Sequence, residues 1–168
     1  MVSSTKRLPQ VPRLFILAGI PGCGKTTWAR TFFEPGVIIS SDAIREDKWP
    51  GEPYDHKRNG EVFDEFHRRI GSRLERPGLA VADATSLAYQ ARWKLSDLAD
   101  YHGAEKHLVF FNNMEQALNR NYERTGAARV PPEAQTVMLA KFKESRSAIL
   151  DEMTEIHYTS TTIIEATK

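Results

Sequence analysis

Apolar residues along the chain alternate between two rhythms. Leu14, Phe15, Ile16, Leu17 and Ala18 form an uninterrupted run that breaks at Gly19, the pattern of a strand buried on both faces of a parallel sheet. A helix over residues 25–33 follows, and Val37, Ile38, Ile39 and Ser40 make a second, β-branched run. Ser41 or Asp42 then stands ready to cap a helix beginning at Ala43. Residues 46–59, with Pro50, Gly51 and Pro53, read as an irregular excursion, after which Val62, Phe63, Phe66 and Ile70 restore helical spacing over 61–74, ended by Pro77 and Gly78. Residues 79–83 make a third strand, 89–101 a helix closed by Gly103, and 107–111 a fourth strand. Residues 114–124 are helical, Val130, Pro131 and Pro132 interrupt, 133–155 are helical on Met138, Leu139, Phe142, Ile149 and Leu150, and 161–164 form a weak last strand. Strands alternating with helices specify a three-layer α/β sandwich with a mostly parallel sheet.

Composition narrows the class. The chain has 168 residues, 40% hydrophobic and 27% charged, enough for one domain whose core needs no disulfides. Twenty-three Lys and Arg against twenty-two Asp and Glu leave a net charge of +1, which excludes the overall basic field of a nucleic-acid coat or a polybasic membrane anchor. If the substrate is a nucleic acid, it has to be gripped locally. The charge is unevenly placed: residues 1–41 carry Lys6, Arg7, Arg13, Lys25 and Arg30 against Glu34, a balance of +4, whereas the last twenty residues sum to −3. The single cysteine, Cys23, excludes an intramolecular disulfide framework and a multi-cysteine zinc site and fits a reducing compartment, so the chain reads as cytosolic. His56, His67, His102, His107 and His157 have no zinc-ligand spacing. No apolar run is long enough for a membrane span. Residues 1–12, with Pro9 and Pro12, read as a flexible leader ahead of a single domain over 13–168.

Gly19-Ile-Pro-Gly-Cys-Gly-Lys-Thr26 has the Walker A spacing, G-x-x-x-x-G-K-[ST], and lies between a predicted strand and a predicted helix, the context the motif requires. Gly22 and Gly24 let the backbone turn its N–H groups inward around phosphate oxygens, and the following helix points its positive end at the same anion. Gly22, Cys23, Gly24, Lys25, Thr26 and Thr27 are therefore candidate binding residues for ATP or another nucleoside triphosphate. Lys25 is placed to bridge the β- and γ-phosphates, and the Thr26 hydroxyl to hold Mg2+. Cys23 has two readings, a thiol of lowered pKa at a helix entrance and a small loop-filling residue, of which the second is favoured. The expected fold thus becomes a three-layer P-loop NTPase sandwich.

Asp42 and Arg45 follow the second strand, at the carboxyl edge where open α/β folds put their ligands. Three residues apart at a helix start, they share a face. The carboxylate can accept the proton of an attacking hydroxyl, and the planar guanidinium fork matches a phosphate on the acceptor. Alone, Asp42 is as readily a helix cap and Arg45 a solvated surface residue; together, after a Walker A loop, they favour function. Asp83 ends the third strand, where P-loop proteins place a metal-holding carboxylate, and the alternative is a turn-forming aspartate. Thr85 beside it has no assigned role. Arg120 and Arg124, at i and i+4, are expected on one helical face, with Arg129 beyond, as a helical lid that neutralises charge growing on a triphosphate; a solvated helix with Glu123 as internal partner has the same residues.

Taken together, Gly19-Ile-Pro-Gly-Cys-Gly-Lys-Thr-Thr27, Ser41-Asp-Ala-Ile-Arg45, Asp83-Ala-Thr85 and Arg120-Asn-Tyr-Glu-Arg-Thr-Gly-Ala-Ala-Arg-Val-Pro131 resemble the kinase domain of the polynucleotide 5′-hydroxyl kinases, over residues 13–145. The resemblance implies that Asp42 is the general base on the 5′-hydroxyl of an RNA or DNA end and that Arg45 contacts the neighbouring phosphate. It implies that Lys25 and Arg124 bind the migrating phosphoryl group and that Arg120 supports the lid. Thr26 is implied to bind magnesium directly, and Asp83 directly or through water. Larger members of that group add a phosphatase or ligase module; neither motif set is present here, so 3′-end processing or joining is expected from a separate protein. Ser86 departs from the asparagine common after Asp-x-Thr and leaves the role of that loop open. Trp49 and Tyr54, in the excursion after Asp42, are candidates to stack on bases, with hydrophobic packing as the default. Two other functions share this fold: a kinase of a small-molecule hydroxyl, and a nucleotide-dependent switch or binding module that needs no base.

Overall fold

The computed structural model describes residues 10–75, 77–125 and 130–165. Most of the leader expected over 1–12 therefore lies outside the described residues, as do Arg129 and the side chain of Leu150.

Five strands, β1 (Arg13–Ala18), β2 (Ile38–Ser40), β3 (Leu79–Asp83), β4 (Glu105–Asn112) and β5 (Ser160–Glu165), form one sheet in the order β2-β3-β1-β4-β5. Every pairing is parallel. The central strand shows why its sequence is unbroken: Leu14, Ile16, Leu17 and Ala18 are fully buried, because a parallel strand in mid-sheet is covered on both faces. Among the described residues six α-helices connect the strands: α1 (Lys25–Phe32), α2 (Ser41–Lys48), α3 (Asn59–Leu74), α4 (Tyr89–Tyr101), α5 (Met114–Glu123) and α6 (Pro132–Ile156).

Successive strand residues point to opposite faces, so β4 identifies the layers. Phe111 meets Trp28 of α1, ring centres 6.0 Å apart. Its neighbour Phe110 stacks on Phe142 of α6 at 5.5 Å. Helices thus cover both faces, α1 on one and α6 on the other, with α4 packed against both α3 and α6. This is the three-layer α/β sandwich expected from the alternation.

Register brings three chain segments to one edge. Asp83 pairs with Leu17 of β1 on one side and with Ser40 of β2 on the other. The loop after β1, the start of α2 and the last residue of β3 therefore end at the same level. Right-handed crossovers leave β1 and β3 toward opposite faces, so the crevice between these neighbours is the switch point where such sheets bind ligands.

Three expectations about local structure are corrected. The cap of α2 is neither Ser41 nor Asp42: Ser40 Oγ accepts from the Ala43 N–H at 3.4 Å, and the helix begins at Ser41. Ser40 is the last extended residue of β2, so its backbone already has the shape a cap requires. The excursion is also shorter than predicted, because α2 runs to Lys48 and α3 starts at Asn59. Lys48–Glu61 (2.6 Å) and Arg69–Asp47 (3.3 Å) tie the two helices across it. Val37 falls in a short 3-10 turn, Pro35–Val37, and not in β2.

Candidate nucleotide and acceptor site

The loop between β1 and α1 owes its shape to its glycines. Gly22 and Gly24 have φ of 86° and 96°, a region costly for any residue with a Cβ. A Cβ on Gly22 would also lie 2.8 Å from the Ala117 carbonyl oxygen. Helix α5 is thus laid directly on the loop. Gly24 precedes α1 with no side chain capping it, so the first N–H groups of that helix remain free for an anion.

Within the loop Lys25 is folded inward. Its Nζ donates to the carbonyls of Gly19 (3.0 Å) and Ile20 (3.1 Å) and contacts Cys23 Sγ at 3.5 Å, and the side chain is buried. Bridging phosphates requires it to exchange these carbonyls for phosphate oxygens, a move of the side chain alone. Cys23 is buried, and burial raises its pKa against the pull of Lys25. A thiol held protonated is a poor nucleophile, which agrees with the loop-filling reading. Thr27 is exposed in the first turn of α1.

Thr26 and Asp83, brought together across 57 residues of sequence, meet directly: the threonine hydroxyl donates to Oδ2 at 2.6 Å. Asp83 is buried at the end of β3, and its pKa is raised. Desolvation is the main cause, Asp42 adds repulsion, and Thr26 and Lys25 pull the other way. The pair offers two hard oxygen donors, and among the described residues no cluster of three His, Cys, Asp or Glu forms a closed cage. That donor set fits Mg2+, which keeps most of its waters and takes one or two protein ligands plus phosphates.

Asp42 stands exposed in the first turn of α2, near enough to Asp83 for its charge to be felt there. Ser40 has taken the capping role, which leaves the Asp42 carboxylate available. One turn on, Arg45 Nη2 donates to Asn59 Oδ1 at 2.7 Å, and its guanidinium lies 4.8 Å from the Tyr54 ring centre.

The lid arginines divide. Arg120, on α5, donates from Nη1 to the Gly22 carbonyl at 3.1 Å and so touches the phosphate loop itself. Arg124 is not part of the helix that was expected to include it: α5 ends at Glu123 and Arg124 is its C-cap, with ψ of 149°. The reason lies in Asn121, buried, whose side chain donates to the Val130 carbonyl (3.2 Å) and accepts from the Val130 N–H (3.0 Å). That clamp turns the chain back toward the start of α6.

Several supporting residues went unseen in the sequence. Asn113 Nδ2 donates to the Cys23 carbonyl at 2.7 Å, so Asn113, Ala117 and Asn121 all face inward, two of them onto the phosphate loop. Their i, i+4, i+8 spacing was a usable signal. Arg92 had none. Fully buried, it donates from Nε to Glu152 Oε2 (2.7 Å), from Nη2 to Glu152 Oε1, and from Nη1 to the carbonyls of Ser86 (2.8 Å) and Leu87 (2.6 Å). It thereby fixes the loop that follows Asp83, where Ser86 adopts φ of 43°. Thr85 acquires a backbone role, its carbonyl accepting from the Gly19 N–H at 2.9 Å.

A parallel sheet ordered 2-3-1-4-5, a glycine loop feeding α1 and a buried aspartate on the loop's threonine define a P-loop kinase-like domain. Residues 14–149 match the family model AAA_33, an AAA domain, and the chain belongs to that family. Among solved structures it is similar to a chain of the Pnkp1/Rnl/Hen1 RNA repair complex (TM-score 0.69, 21% identity, covering 86% of this chain and 48% of that one). It is also similar to a chain of the PezAT chromosomal toxin-antitoxin system of Streptococcus pneumoniae (TM-score 0.65, 18% identity, 97% and 72%). A gluconokinase from Sinorhizobium meliloti matches with TM-score 0.57 and 19% identity over 95% of this chain and 85% of that one. At these identities the likeness concerns the fold. The chain spans about half the length of the RNA-repair chain. No curated protein gives a significant match, and no helix among the described residues is long and apolar enough to cross a membrane.

Proposed function

We propose that the protein is a magnesium-dependent polynucleotide 5′-hydroxyl kinase, which moves the γ-phosphate of ATP or another nucleoside triphosphate to the 5′-OH end of RNA or DNA. The observation that carries the reading is the placement of Asp42: released from capping by Ser40, exposed at the carboxyl edge of the sheet, and within electrostatic reach of the Thr26–Asp83 pair. The sequence resemblance supplies the acceptor class.

In this reading the acceptor hydroxyl approaches the γ-phosphorus in line with the bond to the β-phosphate oxygen. Asp42 takes the hydroxyl proton as the new O–P bond forms, and the nucleoside diphosphate leaves with the electrons of the broken bond. Lys25 and the free N–H groups at the start of α1 hold the β- and γ-phosphates, Arg45 holds the phosphate next to the acceptor hydroxyl, and Arg124 and Arg120 close from the lid side. Thr26 and Asp83 would hold Mg2+, which when bound would neutralise charge on the triphosphate. RNA or DNA repair, in company with a separate phosphatase or ligase, is the setting this activity fits.

A small-molecule hydroxyl acceptor is the competing reading, supported by the similarity to a gluconokinase. Labelled γ-phosphate should appear on a 5′-OH oligonucleotide and not on its 5′-phosphorylated twin; label on neither removes the polynucleotide reading. Asp42→Asn should lower transfer by about 10² to 10⁴ while triphosphate binding persists. Unchanged function in that variant would instead indicate a nucleotide switch.

A further inference from the structure

Residues 49–58 hold two aromatic rings beside cations, and the structure separates them. Trp49 is half-buried and packs against the core, and its ring is engaged by Arg58 at 4.5 Å and Lys48 at 5.7 Å. It is a packed ring with its polar neighbours already in place. Tyr54 differs. It is 56% exposed, among the larger exposed hydrophobic side chains of the described residues, yet it is held at two points. Its hydroxyl lies 3.3 Å from Asn59 Oδ1 and 3.2 Å from Nδ2, and its ring lies 4.8 Å from the Arg45 guanidinium. Asn59 Oδ1 in turn accepts from Arg45 Nη2 at 2.7 Å. Three elements meet here: α2 contributes Arg45, α3 contributes Asn59, and the segment between them contributes Tyr54.

We propose that Tyr54 is the platform on which the nucleobase of the acceptor's 5′-terminal nucleotide stacks, and that Asn59 is the positioning residue that fixes Arg45 beside it. The proposal rests on the reading of a polynucleotide acceptor and adds what reads the acceptor's base. Arg45 uses one N–H group on Asn59 and keeps others of its planar fork for a phosphate. A phosphate on Arg45 places the nucleoside attached to it within reach of the ring alongside. An exposed tyrosine fixed by its hydroxyl, with the Arg45 guanidinium over one face of its ring, has little freedom left to lose when a base settles on the other face. Every base has a π-face, so such a platform accepts any terminal base but requires it unpaired. Single-stranded or frayed 5′ ends are therefore the preferred acceptors, ahead of blunt duplex ends.

The experiment compares two single-stranded 5′-OH oligonucleotides, identical except that one has an abasic site at the 5′-terminal nucleotide. KM and kcat for each are measured with the parent, Tyr54→Ala and Tyr54→Phe. On the complete oligonucleotide Tyr54→Ala should raise KM by about 5- to 100-fold, with Tyr54→Phe restoring most of the affinity. On the abasic oligonucleotide the parent should already show the raised KM, and Tyr54→Ala should add nothing. A rise of the same size on both oligonucleotides, or on neither, overturns the proposal. If the parent labels neither oligonucleotide, the polynucleotide reading itself fails and the platform fails with it, an outcome distinguished by appearing in the unaltered protein.

Discussion

Gly22 joins two constraints in one residue, a left-handed φ of 86° and a neighbour, the Ala117 carbonyl, that a Cβ would reach at 2.8 Å. Gly22→Ala should therefore destabilise the fold by about 1–3 kcal/mol, read as a lower melting temperature, and should weaken triphosphate binding because α5 is pushed off the loop. Asp83 makes the opposite prediction for stability. Its folded-state pKa lies above the ordinary carboxylate value because of burial. The folded protein holds that proton more tightly than the unfolded chain, so stability from this group is full below the unfolded value and falls as pH rises through the raised one. Asp83→Asn should melt higher than the parent at neutral pH, with the difference closing at acid pH, and should lose the stabilisation that Mg2+ with triphosphate gives the parent. A lower melting point for the variant at neutral pH would count against burial as the cause. At this scale the positions of the loop glycines, Lys25, Thr26 and Asp83 were legible, because they lie in a fixed spacing or at a strand end. Ser40 as the cap was not, since Ser40, Ser41 and Asp42 are all good caps and only the end of β2 decides among them.

At the scale of elements, the loop after β3 depends on a helix sixty residues further along the chain. Arg92 of α4 binds its carbonyls and is itself paired with Glu152 of α6, both buried. Removing one partner strands a buried charge, so Glu152→Ala should cost about 3–5 kcal/mol. The double variant Arg92→Met with Glu152→Leu should cost markedly less than the sum of the single losses, because no charge is left unpaired. Chemical denaturation of the parent, Glu152→Ala, Arg92→Met, Glu152→Leu and the double variant measures this. Asn121 plays the same part for the lid: Asn121→Ala frees both backbone groups of Val130 and should cost about 1–3 kcal/mol. Helix α4 was predicted to its ends, 89–101, because Gly103 closes it and its apolar spacing is regular. The end of α5 was misplaced by one residue, Arg124, since helical spacing continues there while the Asn121 clamp, a tertiary contact, stops the helix.

On the scale of the whole molecule, a central strand buried on both faces and right-handed crossovers assemble the site from segments that start at residues 19, 40, 83 and 113. The parallel three-layer sandwich, the glycine loop between β1 and α1 and the place of Asp83 at the end of β3 were determined by the sequence itself. Hydrophobic period and glycine spacing are local properties, and local properties survive being read one residue at a time. What the tertiary structure alone decided is which side chains keep those parts in place: Arg92 on Glu152, Asn113 and Ala117 on the phosphate loop, Asn59 and Tyr54 on Arg45, and Ser40 freeing Asp42. Arg92 with Glu152, Asn113 with Cys23 and Asn59 with Arg45 are partners far apart in sequence, which only the packing of the helices brings into contact, whereas Ser40 caps locally and is chosen over its neighbours by where β2 ends.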